Sequence, residues 1–284
     1  MDITVVNINT NNHKWSFEMP NWANQFPLVM GDTYRHGGVC KKPCESLNLA
    51  THIGDSLQDV LDNRSIVADH LGVSPDRITC GNQVHGLNAV RITEDLIGAG
   101  SISSDTAIPD CDAIYTDIPN VPLFLFTADC VPVGIYDPVH HVVATVHAGW
   151  RGAIGHLPVI TIEAMQRDFG TRFEDCYVYL GPSIGPESFE VNQELADTFT
   201  DEWKKTDANS DELVRYIVRD GASKATPHVD LWRFIEEDLL QRGVPKDQIC
   251  IGGTDSMTDE NCFSYRREHG KTGRMALFGM LEKR

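Results

Sequence analysis

The sequence is poor in positive charge. Its 24 lysine and arginine residues stand against 41 aspartate and glutamate residues, and its formal net charge at neutral pH is −17. A nucleic-acid partner needs a basic footprint for its phosphates, and an anionic membrane surface attracts basic clusters in the same way. We therefore expect neither partner. Small anionic substrates are still compatible with this composition, because they need only a few local arginine or lysine side chains.

The sequence also lacks a long apolar run. No stretch approaches the roughly 20 apolar residues that a membrane helix needs. The first residues, MDITVVNINTNNHKWSF, do not combine a basic segment with an apolar one as a secretory signal does. We therefore expect a cytoplasmic protein without membrane contact. In that compartment its eight cysteines would be reduced, and most would be small buried hydrophobic residues.

Repeats, low-complexity tracts and linkers rich in proline or serine are absent, so we expect a single domain over residues 1–284. Helical periodicity ending in glycine predicts helices at 58–72, 155–170 and 229–243. Apolar runs predict strands at 77–84, 87–92, 122–126, 141–146 and 177–181, with 122–126 and 141–146 forming a hairpin or two neighbouring buried strands. The polar stretch 201–213 is expected to be a surface loop. The interleaving of helices and strands predicts a mixed α/β fold.

Closely spaced metal-ligand pairs are absent too, since the chain contains no C-x-x-C, H-x₃-H or H-x-H motif. Single candidates instead stand near the ends of strand-like segments, namely His85, Cys130 and His147. If these segments end together, the side chains form a His₂Cys set, which suits a catalytic zinc with a fourth position left for water. Asp129 could then orient a ligand or act as a base. A metal-free Cys–His nucleophile pair, or purely structural roles, would explain the same pattern.

Longer motifs resemble one family. The segments RHGGVCKKPCESLNLATHIGD (35–55), NQVHG, TADCVPV, HAGWRG, GPSIGPESFEV and FSYRREHGKTGRMA (263–276) occur in the order known from the YfiH or laccase-domain family. The resemblance extends from about Arg35 almost to the C-terminus. It implies an α/β protein of layered sheets covered by helices, with one zinc ion per chain bound by His85, Cys130 and His147. The chain differs from the family pattern at two places: it has Cys40 where serine is usual, and Gly253-Thr254 where Cys-Thr is usual. These differences could alter substrate choice, but they do not affect the three ligand positions.

The resemblance also implies a function. Members of the family carry out phosphorolysis of inosine, adenosine, guanosine and methylthioadenosine, and hydrolytic deamination of adenosine. The expected partners are therefore a small nucleoside and phosphate, with no obligate protein partner.

Candidate substrate contacts follow from these reactions. Arg35 and Arg151 are candidate phosphate clamps, because a guanidinium fork matches phosphate oxygens. Arg266 and Arg267 are weaker candidates for the same role. Asn48 is a candidate substrate contact, and Trp150 could stack on a purine. Each has a structural alternative: an arginine can hold backbone carbonyls, an asparagine can shape a loop, and a tryptophan can anchor the core.

Three other functions are open at this point. A copper-dependent polyphenol oxidase is suggested by the family's laccase name, and a His₂Cys set does bind copper in vitro. The absence of H-x-H motifs argues against a multicopper cluster. An amidase acting on a peptidoglycan precursor, a UDP-MurNAc-linked amino acid, would use the same zinc or Cys130. A zinc-stabilised binding module is disfavoured, because a structural zinc normally has four protein ligands.

Overall fold

The computed structural model describes residues 3–10, 13–205, 213–219 and 223–284. Within these ranges the strands are β1 (Ile3–Asn9), β2 (Lys14–Pro20), β3 (Leu28–Thr33), β4 (Thr79–Cys80), β5 (Ala89–Arg91), β6 (Ala113–Thr116), β7 (Leu123–Thr127), β8 (Val131–Asp137), β9 (Val142–Ala148), β10 (Tyr177–Leu180), β11 (Val214–Ile217), β12 (Thr226–Val229), β13 (Ile249–Ile251) and β14 (Met275–Leu281). The helices are α1 (Leu57–Leu71), α2 (Trp150–Ile154), α3 (Leu157–Phe169), α4 (Gln193–Trp203) and α5 (Leu231–Gln241). No described helix is long and apolar enough to cross a bilayer.

Most strands belong to two six-stranded sheets. The first has the order β1-β2-β3-β14-β7-β4 and the second the order β13-β10-β8-β9-β6-β5. Both sheets are mainly antiparallel, with a parallel pair at one edge of the first and at both edges of the second. Strands β11 and β12 form a separate antiparallel pair. The mixed α/β class and the layered architecture expected from the sequence are confirmed.

The two sheets pack face to face, with β7 and β14 lying on β8 and β9. A side chain added at Gly279 of β14 would meet Val143 and Thr145 of β9, so these residues point toward the first sheet. Side chains alternate along a strand, and His147 therefore continues this inward row. The intervening residues of β9 share a core with helices α3 and α5.

Helix α1 covers the outer face of the first sheet. The Phe17 ring lies 5.2 Å from the Phe278 ring within this sheet and 5.5 Å from the His70 ring on α1. The resulting order is helix, sheet, sheet, helices. Seven of the eight cysteines are buried, as expected of small hydrophobic residues, and Cys130 is half-buried.

The three helices predicted from periodicity are confirmed, because their end signals are local. Helix α1 begins after Ser56, whose side chain accepts from the Asp59 N–H, and ends at Gly72 with a φ of 68°. Helix α3 has Pro158 in its first turn, where proline is tolerated. Helix α5 begins after Asp230, which accepts from the Arg233 N–H.

The strand predictions are only partly right. The segments 122–126 and 141–146 are buried strands, but the hairpin alternative is wrong, because β7 lies in the first sheet and β9 in the second. The partner of β9 in the hairpin is β8, which the sequence analysis does not predict. The strands predicted at 77–84 and 87–92 shorten to β4 and β5. In the predicted loop 201–213, helix α4 continues to Trp203, and residues 206–212 lie outside the described part.

Candidate metal centre

Three chain segments bring one potential metal ligand each to the same end of the sheets. Cys130 directly precedes β8, and the antiparallel register places Pro132 opposite His147 near the end of β9. His85 lies in the loop after β4. The ligand atoms of the three side chains lie within 4.8 Å of one another, and His85 Nε2 is 3.9 Å from Cys130 Sγ. The three residues proposed as ligands from the sequence therefore come together.

The donor set fits one tetrahedral ion. Metal–ligand bonds of about 2.0–2.3 Å place neighbouring ligand atoms roughly 3.5 Å apart, so small side-chain movements would complete the set. His147 is buried, Cys130 is half-buried and His85 is exposed, and no fourth ligand joins them among the described residues. Three protein ligands with one accessible side are typical of a catalytic rather than a structural metal site.

Asp112 organises two of the three ligands. It directly precedes β6, which pairs with β9 so that Ala113 lies opposite Val146. Asp112 Oδ1 lies 2.8 Å from His147 Nδ1. With the proton on Nδ1, the histidine donates to the carboxylate and presents Nε2 to a metal. The same carboxylate accepts the N–H groups of residues 84, 85 and 86 at 3.1, 3.0 and 2.7 Å.

Backbone geometry also shapes the site. His85 has a φ of 60°, a left-handed conformation that is unfavourable for residues other than glycine. The three hydrogen bonds to Asp112 hold this turn in place. Gly149 leaves room for the ligands, because an added Cβ would lie 3.0 Å from Cys130 Sγ and 3.2 Å from His85 Cδ2. The Ala-Gly-Trp motif after His147 therefore needs glycine for steric reasons.

The two histidines favour the ionised thiol. Burial opposes ionisation of Cys130, but the effect of His147 and His85 is larger and lowers the pKa of Cys130 to about 6. Burial also opposes protonation of His147, but attraction to Cys130 and the hydrogen bond to Asp112 raise the pKa of His147 to about 9. Because the thiolate is the form of cysteine that binds metals, the electrostatics suit a metal site.

A cavity of about 420 Å³ lies against the three ligands, within the size range of small-molecule sites. Its walls include four aromatic side chains and two arginines, namely Phe126, Trp150, Phe189, Tyr265, Arg266 and Arg274. Gln83 also lines it, and its side-chain amide exchanges two 2.8 Å hydrogen bonds with the Phe126 backbone. That pairing makes Gln83 a fixed part of the wall.

Arg35 and Asn48 do not line this cavity. Arg35 lines a different cavity and forms a 2.7 Å ion pair with Glu268. Asn48 is fully buried, and its amide nitrogen donates to Asp55 Oδ2 at 2.9 Å. The Asn48 amide oxygen accepts the N–H groups of Ala50 and Arg274. Protein groups therefore already bind Arg35 and Asn48, two of the side chains expected from the sequence to contact substrate.

The other candidates take different positions. Arg151 is exposed beside the cavity, and its guanidinium lies 4.1 Å from the centre of the Trp150 ring. Trp150 lines the cavity as expected of a stacking surface, and Arg266 lines it too. Arg267 instead donates to the carbonyls of residues 256, 257, 259 and 262, so it holds a loop together.

Asp129 does not orient a ligand. Its two oxygens accept from Ser256 Oγ and from the Arg266 N–H, both at 2.7 Å. The carboxylate thus ties the loop around residues 256–266 to the segment that carries Cys130. The two family departures lie away from the cavity lining: Cys40 is buried beside Asn63, and Thr254 donates to Glu18.

Asp112 and Arg274 are among the residues of the site that the sequence motifs do not single out. Asp112 directly precedes β6, and Arg274 directly precedes β14. Both follow the same pattern as Cys130, a polar or ionisable residue at the point where an apolar strand begins. Applied to every strand-like segment, that signal would have found them.

Comparisons with known proteins find relatives over nearly the whole chain. The family model described as multi-copper polyphenol oxidoreductase laccase matches residues 29–282. The purine nucleoside phosphorylase YlmD of Bacillus subtilis is 31% identical over 95% of this chain and 98% of its own length. The crystal structure of YlmD from Geobacillus stearothermophilus matches with a TM-score of 0.86 and 31% identity over 99% of this chain and 100% of that one. The YfiH structure from Bacillus licheniformis gives a TM-score of 0.85 and 29% identity over 96% and 98%.

Proposed function

The chain belongs to the multi-copper polyphenol oxidoreductase laccase family, and from this premise we propose that it is a zinc-dependent purine nucleoside phosphorylase. The observation that carries the proposal is the cluster of His85, Cys130 and His147 beside a 420 Å³ cavity with aromatic walls. Aromatic faces suit the flat purine ring, and the volume suits a small-molecule ligand. The name of its relatives, purine nucleoside phosphorylase, supports the same class of enzyme.

In the proposed reaction a phosphate oxygen forms a bond to C1′ of the ribose while the C1′–N9 bond breaks. The electron pair of that bond leaves with the purine, which takes up a proton, and the products are ribose 1-phosphate and the free base. Trp150, Phe189 and Tyr265 offer faces against which the purine can be oriented. His85, Cys130 and His147 would hold the metal, and a bound zinc ion would supply Lewis-acid polarisation at this position.

The same cavity supports a second reaction on a related substrate. In adenosine deamination, water adds to C6 of the purine and the amino group leaves as ammonia, so no phosphate is required. We include this reaction in the proposal, together with phosphorolysis of inosine, adenosine, guanosine and methylthioadenosine. The supporting observation is the adjacency of an accessible His₂Cys set to the aromatic walls.

We propose zinc rather than a multicopper cluster as the metal. Within the described residues, His85, Cys130 and His147 are the one group of three or more ligands able to hold a metal. Copper would bind the same nitrogen and sulfur donors in vitro, since Cu²⁺ stands above Zn²⁺ in the general affinity order. Phenol oxidation is then expected to follow copper content and to be absent from zinc-loaded, copper-free protein.

The test is release of hypoxanthine from inosine by protein of known metal content. We expect purified protein to bind close to one zinc per chain, and base release to require phosphate and to stop when a chelator removes the metal. Zinc should restore it. Cys130→Ala serves as the ligand-deficient control.

Two results would contradict the proposal. Base release that is independent of phosphate would indicate hydrolysis instead of phosphorolysis. Equal rates for zinc-loaded protein, metal-free protein and Cys130→Ala would exclude a role for the metal. Ammonia release from adenosine, measured in the same preparations without phosphate, tests the deamination separately.

A further inference from the structure

We propose that Arg274 is the residue that binds the attacking phosphate beside the metal centre. The inference rests on the proposed function, because it assigns the anion-binding part of that same site. The cavity against the metal ligands has two arginines in its lining, Arg266 and Arg274. Arg274 differs from the other arginines in three ways: its side chain is partly buried, it has free hydrogen-bond donors, and its backbone is held by hydrogen bonds.

The register of the first sheet places Arg274 next to the metal ligands. Arg274 directly precedes β14, whose first residue, Met275, lies opposite Thr127 at the end of β7. Cys130 follows Thr127 by only three positions. The chain entering β14 and the chain leaving β7 therefore run side by side at the cavity. Arg274 and Cys130 consequently line the same cavity, although they lie far apart in the sequence.

Most hydrogen-bond donors of the Arg274 side chain are free. Nη1 donates to the carbonyls of Thr272 and Gly273 at 2.8 and 3.0 Å. Nε and Nη2 have no acceptor within the described part of the chain, and neither nitrogen is cut off from solvent. No described carboxylate lies within 4 Å of the guanidinium. Arg274 thus presents free donors toward the cavity and has no carboxylate in direct contact, although the negative charges of Cys130 and Asp129 act on its guanidinium.

Hydrogen bonds hold the backbone of Arg274 on both sides of its Cα atom. Its backbone N–H donates to Asn48 Oδ1 at 3.0 Å, and its carbonyl accepts from the Leu49 N–H at 3.2 Å. Asn48 is itself fully buried, so it acts as a positioning residue for Arg274. The guanidinium carbon lies 5.7 Å from the centre of the Tyr265 ring, a cation–π distance. A preorganised cation of this kind loses little freedom when an anion binds.

The neighbouring arginines lack this combination. Arg35 is neutralised by Glu268, and Arg267 donates its hydrogen bonds to backbone carbonyls of a loop. Arg64 is buried and donates to the carbonyls of residues 49, 100 and 101. Arg266 is exposed at the rim of the cavity, where its Nη1 donates to the Glu190 carbonyl.

The chemistry of the free donors points to an oxyanion. A guanidinium binds phosphate through two parallel charge-assisted hydrogen bonds. Leaving a half-buried charge unpaired is unfavourable, and a bound phosphate would remove that cost. Burial lowers the pKa of Arg274, yet an arginine stays charged at neutral pH. Phosphate seated here would approach the nucleoside from the side of the cavity that carries the metal ligands.

The test measures binding of inorganic phosphate to zinc-loaded protein by calorimetry, alongside the KM for phosphate in inosine phosphorolysis. For Arg274→Gln we expect both the Kd and the KM for phosphate to rise roughly 10- to 100-fold, the typical effect of losing a charge-assisted pair. The KM for inosine and the deamination of adenosine, which needs no phosphate, should change little. Arg274→Lys keeps the charge but not the fork, and we expect an intermediate loss.

Two further charge-loss variants complete the test, one as a control and one for the competing assignment. Arg242→Gln removes an exposed arginine at the far end of α5, paired with Glu163, and should leave both constants unchanged. Arg151→Gln removes the rival clamp, which lies on the Trp150 ring outside the cavity lining. Any of three results would overturn the inference. Arg151→Gln could produce the phosphate-specific loss, or folded Arg274→Gln could bind phosphate like the unaltered protein. The third is that the unaltered protein binds no phosphate. If Arg274→Gln does not fold, unchanged phosphate constants in Arg274→Lys overturn it. Phosphate binding through Arg274 without base release would instead refute the proposed function alone.

Discussion

Asp112 shows how much of the centre depends on a residue that would not itself touch the metal. One carboxylate accepts from His147 Nδ1 and from three consecutive backbone N–H groups around His85. It therefore sets the orientation of one ligand and the unusual backbone of another. Carboxylates that orient metal-bound histidines raise metal affinity, and their loss typically lowers it 10- to 100-fold.

We expect Asp112→Ala to weaken zinc binding by about 10- to 100-fold, and Asp112→Asn, which keeps an acceptor, to weaken it less. The measurement is competition for zinc against a chelator of known affinity. Asp238→Asn provides the control, because Asp238 forms an equivalent contact with His156 at 2.9 Å, away from the cavity. Unchanged zinc affinity in Asp112→Ala would show that the carboxylate has no part in the site.

The pairing of adjacent strands also places two buried acidic side chains opposite each other. Strands β2 and β3 pair so that Glu18 lies directly opposite Asp32, and both side chains are fully buried. Glu18 accepts from the hydroxyls of Tyr34, Tyr179 and Thr254. Both oxygens of Asp32 lack a partner among the described residues. Burial, and secondly the charge of Glu18, raise the pKa of Asp32 well above its usual value.

The raised pKa predicts a pH-dependent stability. The folded protein holds the Asp32 proton more tightly than the unfolded chain, whose aspartates titrate near pH ~3.9. Above that pH the unfolded chain binds fewer protons, so the free energy of unfolding falls as the pH rises toward the folded pKa of Asp32. Asp32→Asn should remove this dependence and be more stable than the unaltered protein at pH 8. Urea unfolding of both proteins at several pH values between 5 and 8 measures the difference, and parallel pH profiles would contradict the assignment.

At the scale of the whole molecule, the three candidate metal ligands come from both sheets. His85 follows β4 of the first sheet, His147 lies in β9 of the second, and Cys130 lies on the crossover from β7 to β8. An ion bound by all three would link both layers. Because the ligands lie together only in the folded state, metal binding should stabilise the whole fold.

We expect zinc at about 100 times its Kd to add about 2.7 kcal/mol to the free energy of unfolding. For a chain of this size that corresponds to a rise in Tm of about 5 °C. Differential scanning calorimetry at increasing zinc concentrations measures the shift. Cys130→Ala should show little of it. An equal rise in that variant would mean that zinc stabilises the protein at some other position.

Features that depend on local interactions can be predicted from the amino-acid sequence. Helices α1, α3 and α5 are predictable because their caps and glycine ends lie within a few residues of each helix. The grouping of His85, Cys130 and His147 is also predictable, since cysteine and histidine at the ends of apolar segments are uncommon and the surrounding motifs are long. Apolar content likewise identified β7 and β9 as buried strands.

Strand pairing and the contacts between distant polar groups depend instead on the three-dimensional fold. Strands β7, β8 and β9 are buried on both faces, so they carry no alternation from which a partner or a sheet could be read. Arg35 is neutralised by Glu268, 233 positions along the chain, and Asn48 holds the backbone of Arg274, 226 positions along. Whether an arginine is free to bind phosphate depends on such distant partners. These contacts cannot be predicted from local sequence, because only folding brings the partners within hydrogen-bonding distance.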